Sequence, residues 1–208
     1  MNIGIIGAGN VGSALAGAAV RAGHSVSVTS ADPAETDATA RTTGARAVGS
    51  NREAVELADI IILAVPAKVV VDLVSKLGDA LGGKTLVDVT NRPTPDLERK
   101  RCTSSAEEVQ EAAPNARVIK AINTVFAGRQ AEPALGGDQA DGYVAGDDPE
   151  AKQAVLEFVE SIGLRPFDVG PLAVARTLEG MGWIHISLAM EHDWSWQSAW
   201  KLVGPTTQ

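Results

Sequence analysis

The run Gly7-Ala8-Gly9-Asn10-Val11-Gly12 constrains this chain more than any other feature. It follows directly on Ile3 to Ile6, an isoleucine-rich run that reads as a buried strand. It opens an alanine-rich stretch, Asn10 to Ala22, that reads as a helix stopped by Gly23. In that setting a G-x-G-x-x-G pattern has a mechanical meaning. Gly7 allows a tight turn, Gly9 lets the backbone approach a pyrophosphate, and Gly12 permits close helix–strand packing. The helix N-terminus adds free N–H groups and the positive end of a dipole. The pattern predicts a dinucleotide cradle rather than a merely glycine-rich turn.

The rest of the chain continues the alternation. Val26 to Val28, Ile60 to Val65, Thr85 to Val89, Val118 to Ile122, Gly142 to Ala145 and Leu164 to Val169 read as strands. Between them, Ser50 with Glu53 has capping-box spacing ahead of a short helix. Val70, Leu73, Val74, Leu77 and Leu81 share one face of another helix, and Ala106 to Ala113 form a third. Arg92 to Ser105 reads as a polar loop. Asp148 caps a helix with Pro149 at its first position, running to Ile162, so Asp147-Asp148 is read as capping rather than a metal pair. The expectation is an α/β fold, a doubly wound and mostly parallel sheet over residues 1–170. Residues 171–208 hold all four tryptophans and no convincing strand, and read as a helical extension that forms a substrate cleft or a dimer contact.

Charge narrows the partners. Eighteen basic against 26 acidic residues give a net charge of −8, which disfavours nucleic acid and anionic membrane surfaces. The first 20 residues carry no charge, but no basic segment precedes them and five glycines interrupt them, so neither a signal peptide nor a membrane span is expected. Cys102 is the single cysteine, which excludes an internal disulfide and a cysteine-pair metal site and fits a cytoplasmic protein.

Several side chains are candidates for chemistry. At the end of the second strand, Thr29 and Ser30 stand where an acidic residue would select NAD, yet no basic residue follows until Arg41, so NADP and NAD both remain open. Asn91, Asn123 and Thr124 follow strands at the carboxyl edge of the sheet, where ligands bind. Lys120 either pairs with an acid or anionic substrate, or snorkels from a strand end. Met181 and Trp183 are candidate walls for a flat substrate, and Trp194, Trp196 and Trp200 are expected to pack the extension against the domain or a second subunit. His185 and His192 lie seven apart; no third ligand is evident, so no metal is expected, and helix packing is favoured. No nucleophile triad is recognisable, and the catalytic residue is unknown.

The chain resembles the F420-dependent NADP oxidoreductase family, and the same domain is similar to the cytosolic part of STEAP-type ferric reductases. The matching pieces are the glycine run, Ala64-Val65-Pro66, Asp88-Val89-Thr90-Asn91, Lys120-Ala121-Ile122-Asn123-Thr124, Ala145-Gly146-Asp147-Asp148 and Gly163 to Pro166 with Asp168 to Leu172. The resemblance implies a Rossmann domain with a small C-terminal helical extension. It implies NADP lying over Ala8 to Val11, near Ser30, along Val65 and Pro66, and past Asn91 and Ala127. Ala31 and Glu35 replace residues that are often basic in the family, which leaves NAD open as well. The implied reaction is hydride transfer to a planar small-molecule acceptor, with F420 first. The alternatives are a dehydrogenase or an imine or flavin reductase with His185 as proton donor, and a non-catalytic NAD(P)-binding module. A homodimer is a further expectation.

Overall fold

The computed structural model describes residues 1–92 and 103–204. Cys102 and most of the expected loop after Arg92 lie outside those residues. Eight strands form one sheet in the order β3-β2-β1-β4-β5-β6-β7-β8. They are β1 (Asn2–Ile6), β2 (Ser25–Thr29), β3 (Arg46–Ala47), β4 (Ile60–Leu63), β5 (Thr85–Asp88), β6 (Arg117–Ala121), β7 (Asp141–Gly146) and β8 (Arg165–Asp168). Every neighbouring pair is parallel except β6 and β7.

Period-two patterning explains the two cores. Ile3, Ile5, Ile60 and Ile62 face one side of the sheet, while Ile6, Ile61 and Leu63 face the other. Helices cover both faces, as parallel sheets require. On the first side lie α1 (Asn10–Arg21), with Leu15 and Ala16 buried, and α7 (Pro149–Ser161), with Val155 and Phe158 buried. On the second lie α3 (Asn51–Leu57), α4 (Ala67–Leu77) and α5 (Ser105–Ala112). Helix α4 stops at Gly78, and Leu81, expected on the same helix face, is instead delivered to the core by a 3-10 turn.

The structure adds elements that the sequence did not predict. Helix α2 (Pro33–Thr43) is capped by the Asp32 side chain on Ala34 N–H and stopped by Gly44 in the left-handed region. It buries threonines, Thr36 and Thr39, so no apolar stripe announced it. The two-residue β3 and the five-residue α6 (Ala127–Ala131) were also unforeseen.

The last part is one helix, α8 (Ala175–Glu191), followed by an irregular tail, and not helix throughout. Asp193 takes φ +50° and Trp194 N–H bonds the carbonyl of Ala189, a Schellman-type stop that turns the chain out of the helix. The tail then runs back over the domain. Ala199 bridges Val125, Trp200 accepts from Asp141 N–H, and Arg165 donates to Leu202 O. Among the described residues no helix is long and apolar enough to cross a membrane.

Candidate functional site: a glycine loop beside an uncharged cavity

The sheet order reverses at β1, with β2 on one side and β4 on the other, so a crevice opens at their carboxyl ends. The glycine loop sits there. Gly7 has φ +116°, and a side chain on it would strike the Ala64 carbonyl. A Cβ on Gly12 would lie 1.9 Å from Gly7 O, so these two glycines are required by the fold itself. Gly9 differs: a Cβ there would meet nothing within 4 Å. Gly9 caps α1 without any side-chain bond, which leaves the first N–H groups of that helix available to a ligand. The loop is braced from below, since Ser13 and Thr39 both donate to Ala8 O. Open space at Gly9 over a braced loop fits a dinucleotide pyrophosphate.

Two hollows flank the loop. One is lined by Thr29, Ser30, Thr36, Asp37 and Gly49, at the end of β2. There Ser30 Oγ donates to Asp32 O at 2.8 Å and meets Thr36 Oγ1 at 3.0 Å. The other, of about 760 Å³, is lined by Asn10 and Val11 of the loop, by Asn91, Asn123, Phe126 and Ala127, and by Trp196 of the tail. Among the described residues lining it none is ionisable. Val65 and Pro66 occupy the turn from β4 into α4, beside Gly7.

The cavity floor is tightly specified. Ile122, at the end of β6, holds φ +62°, a left-handed conformation costly for a β-branched residue. It turns the chain so that Asn123 meets Asn91: Asn91 Nδ2 donates to Asn123 O at 2.6 Å and Asn123 Nδ2 donates to Asn91 Oδ1 at 2.8 Å. Asn123 Nδ2 also donates to Leu178 O of α8. Asn123 Oδ1 and Gln130 Oε1 are buried without partners, two acceptors on cavity-lining residues that an amide-bearing ligand would satisfy. Gly182 of α8 packs on Asn91, and a Cβ there would lie 2.5 Å from Asn91 Oδ1.

Beneath this floor lies an ionic cluster. Lys120 is wholly buried and donates to Asp88 at 3.0 Å, Glu179 at 2.9 Å and Thr90 O at 2.5 Å. Its pairing reading holds and snorkelling does not. Burial pushes the Glu179 carboxyl above its ordinary range, against the opposing pull of Lys120. Asp88 entered the sequence reading only as part of a matching motif and Glu179 not at all, because only the fold brings them to Lys120.

Three expected pocket residues sit elsewhere. Thr124, Met181 and His185 do not line the large cavity. His185 stacks on Phe126 at 3.8 Å, with Nδ1 facing Thr124 O and Nε2 2.7 Å from Ser198 Oγ. Burial lowers its pKa, so the neutral ring donates to Thr124 O and accepts from Ser198. Thr124 is buried behind the same wall. Trp194 and Trp196, expected to pack against the domain or a second subunit, are about half exposed in the single chain, because the tail leaves the helix before reaching them. No group of described residues has the makings of a metal site, and Asp148 caps α7 as expected.

A Rossmann sheet with a glycine cradle at its switch point and an adjoining cavity defines the class of dinucleotide-binding domains. Residues 2–92 match the model of the family described as NADP oxidoreductase coenzyme F420-dependent. The chain is 36% identical over 180 residues to metalloreductase STEAP3 of Rattus norvegicus, covering 86% of this chain and 36% of that protein. The chain thus spans about a third of that relative. It is 27% identical over 156 residues to the F420-dependent NADP reductase of Methanocaldococcus jannaschii, covering 68% of this chain and 67% of that protein. A crystal structure of a candidate F420-dependent NADP reductase from Arthrobacter sp. superposes with a TM-score of 0.80 at 26% identity, covering 92% of this chain and 94% of that one.

Proposed function

We propose that this protein transfers hydride between NADP(H) and a planar small-molecule acceptor, with the deazaflavin F420 as that acceptor. The observation that carries the reading is the continuity of the open Gly9 cradle with the uncharged cavity through Asn10 and Val11. In this reading the N–H groups at the start of α1 hold the pyrophosphate, and Thr29 and Ser30 flank the adenosine ribose. Asn91, Asn123 and Ala127 flank the nicotinamide, whose amide donates to the unpartnered Asn123 Oδ1.

When bound, the nicotinamide supplies a hydride, two electrons with one proton, and the acceptor takes a second proton from solvent. The protein's own contribution is to position and to keep water out. Asn91 and Asn123 fix one another, and α8 closes over them. Such a reaction gains mainly from orientation and needs no dedicated acid. Among the described residues lining the hollow at Ser30 none is a cation, so in this reading the 2′-phosphate meets the hydroxyls of Ser30 and Thr36 and the N-terminus of α2.

The test is to titrate the purified protein with NADPH and with NADH, then to add oxidised F420 and follow its visible absorbance. Bleaching with NADPH supports the reading. Tight nucleotide binding without bleaching moves the acceptor elsewhere, and failure to bind either nucleotide overturns it.

A further inference from the structure

We propose that Trp196, presented by the C-terminal tail, is the platform on which the acceptor's flat ring rests. This builds on the proposed hydride transfer and names the residue that recognises the acceptor. Trp196 lines the large cavity together with Asn10 and Val11 of the glycine loop, so an acceptor resting on it lies beside the dinucleotide. Its ring is 4.9 Å from that of Phe126 and inclined at 58° to it, so the two rings do not cover each other face to face. Trp196 is 51% exposed, a large aromatic surface left open at the mouth of a cavity.

The tail that carries it is held on both sides. Before it, Trp194 N–H bonds Ala189 O at the end of α8. After it, Ser198 bonds His185, Ala199 bridges Val125, and Lys201 meets Asp138 at 2.6 Å. Leu202 N–H then donates to the buried Asp141 at 2.6 Å. Only Ser195 to Gln197 span the gap, and all three line the cavity. An indole fixed this way presents its face at little entropic cost. Because the described lining is uncharged, recognition there falls to stacking and shape, which suits a flat heteroaromatic ring.

The experiment compares wild type with Trp196→Ala, Trp196→Leu and Trp196→Phe in steady-state reduction of F420 by NADPH. Trp196→Ala and Trp196→Leu are expected to raise the acceptor KM about tenfold, with Trp196→Phe recovering most of it. KM for NADPH and the unfolding midpoint stay at wild-type values, which separates stacking from misfolding. An acceptor KM unchanged in Trp196→Leu overturns the platform. If wild type reduces no F420, the acceptor reading fails, and riboflavin binding in the presence of NADP+ decides the platform separately. Riboflavin bound by wild type and about tenfold more weakly by Trp196→Leu sustains it. Equal binding by both, or none to wild type, overturns it.

Discussion

Lys120 Nζ lies 2.9 Å from Glu179 Oε1, and this contact ties β6 to α8 out of reach of water. Asp88 closes the cluster from β5, and Glu179 also accepts from Ser105 N–H at the start of α5. One ammonium therefore joins two strands to the helix that closes over the cavity. Such a cluster is costly to build and more costly to break, since removing one member strands its partners without solvent.

Lys120→Met should destabilise the fold by about 3–5 kcal/mol, because Asp88 and Glu179 lose their shared buried ammonium and Glu179 keeps only the longer contact with Arg92 as an ion pair. Urea unfolding of variant and wild type checks it; a loss below 1 kcal/mol would mean that water reaches the cluster.

Glu179 makes a pH-dependent contribution of defined sign. Its folded pKa is raised above the ordinary 4.5, chiefly by burial, so the folded state holds the proton more tightly than the unfolded chain. The contribution is complete below 4.5 and is lost as pH rises through the raised value. Wild type should therefore lose stability relative to Glu179→Gln as pH climbs from 4.5. A pH-independent difference between the two unfolding curves would refute the shift.

The glycines of the loop separate by variant. Gly9→Val should leave stability within about 0.5 kcal/mol, since the added atoms enter open space. It should weaken NADPH binding on the order of a hundredfold by blocking the pyrophosphate. Gly12→Val should cost about 3 kcal/mol of stability by collision with Gly7 O. Thermal unfolding and nucleotide titration on both proteins tell the two roles apart.

Ala31→Arg places a cation beside Ser30 and Thr36. The ratio of NADPH to NADH affinity should rise about tenfold. An unchanged ratio would put the 2′-phosphate elsewhere.

His185 offers the opposite sign to Glu179. Its pKa is lowered from 6.5 by burial, so its contribution is present above 6.5 and lost as pH falls through the lowered value. Wild type should lose stability relative to His185→Gln below pH 6.5, while kcat falls less than the 10²–10⁴-fold that a general acid supplies. A collapse of kcat with stability intact would return His185 to the chemistry.

The sequence revealed what local patterning determines. The isoleucines of β1 and β4 and the Asp148-Pro149 cap could be read from neighbouring residues alone. Helix α2 carried the same signal, Asp32-Pro33 ahead of Glu35, but its buried threonines concealed it. The site divides in the same way. Asn10, Val11, Asn91, Asn123 and Ala127 do line the cavity, because loops after parallel strands converge on one edge. Trp196 was read as packing, and His185 as a cleft residue. That Trp196 lines the cavity while His185 packs behind Phe126 depends on Asp193 turning the chain, which no periodicity encodes. The acids facing Lys120 come from distant segments, Asp88 on β5 and Glu179 on α8, and only the tertiary fold brings them together.

The contact of Gly182 with Asn91 reaches beyond chemistry to the sequence itself. The clearance between the helix above and the strand edge below is gauged by an atom that is absent. Even one methyl at 182 must either lift the helix or displace the amide that orders the opposite wall. A side chain at 182 thus calls for a different residue or rotamer at 91, and the two positions constrain each other although the chain keeps them far apart.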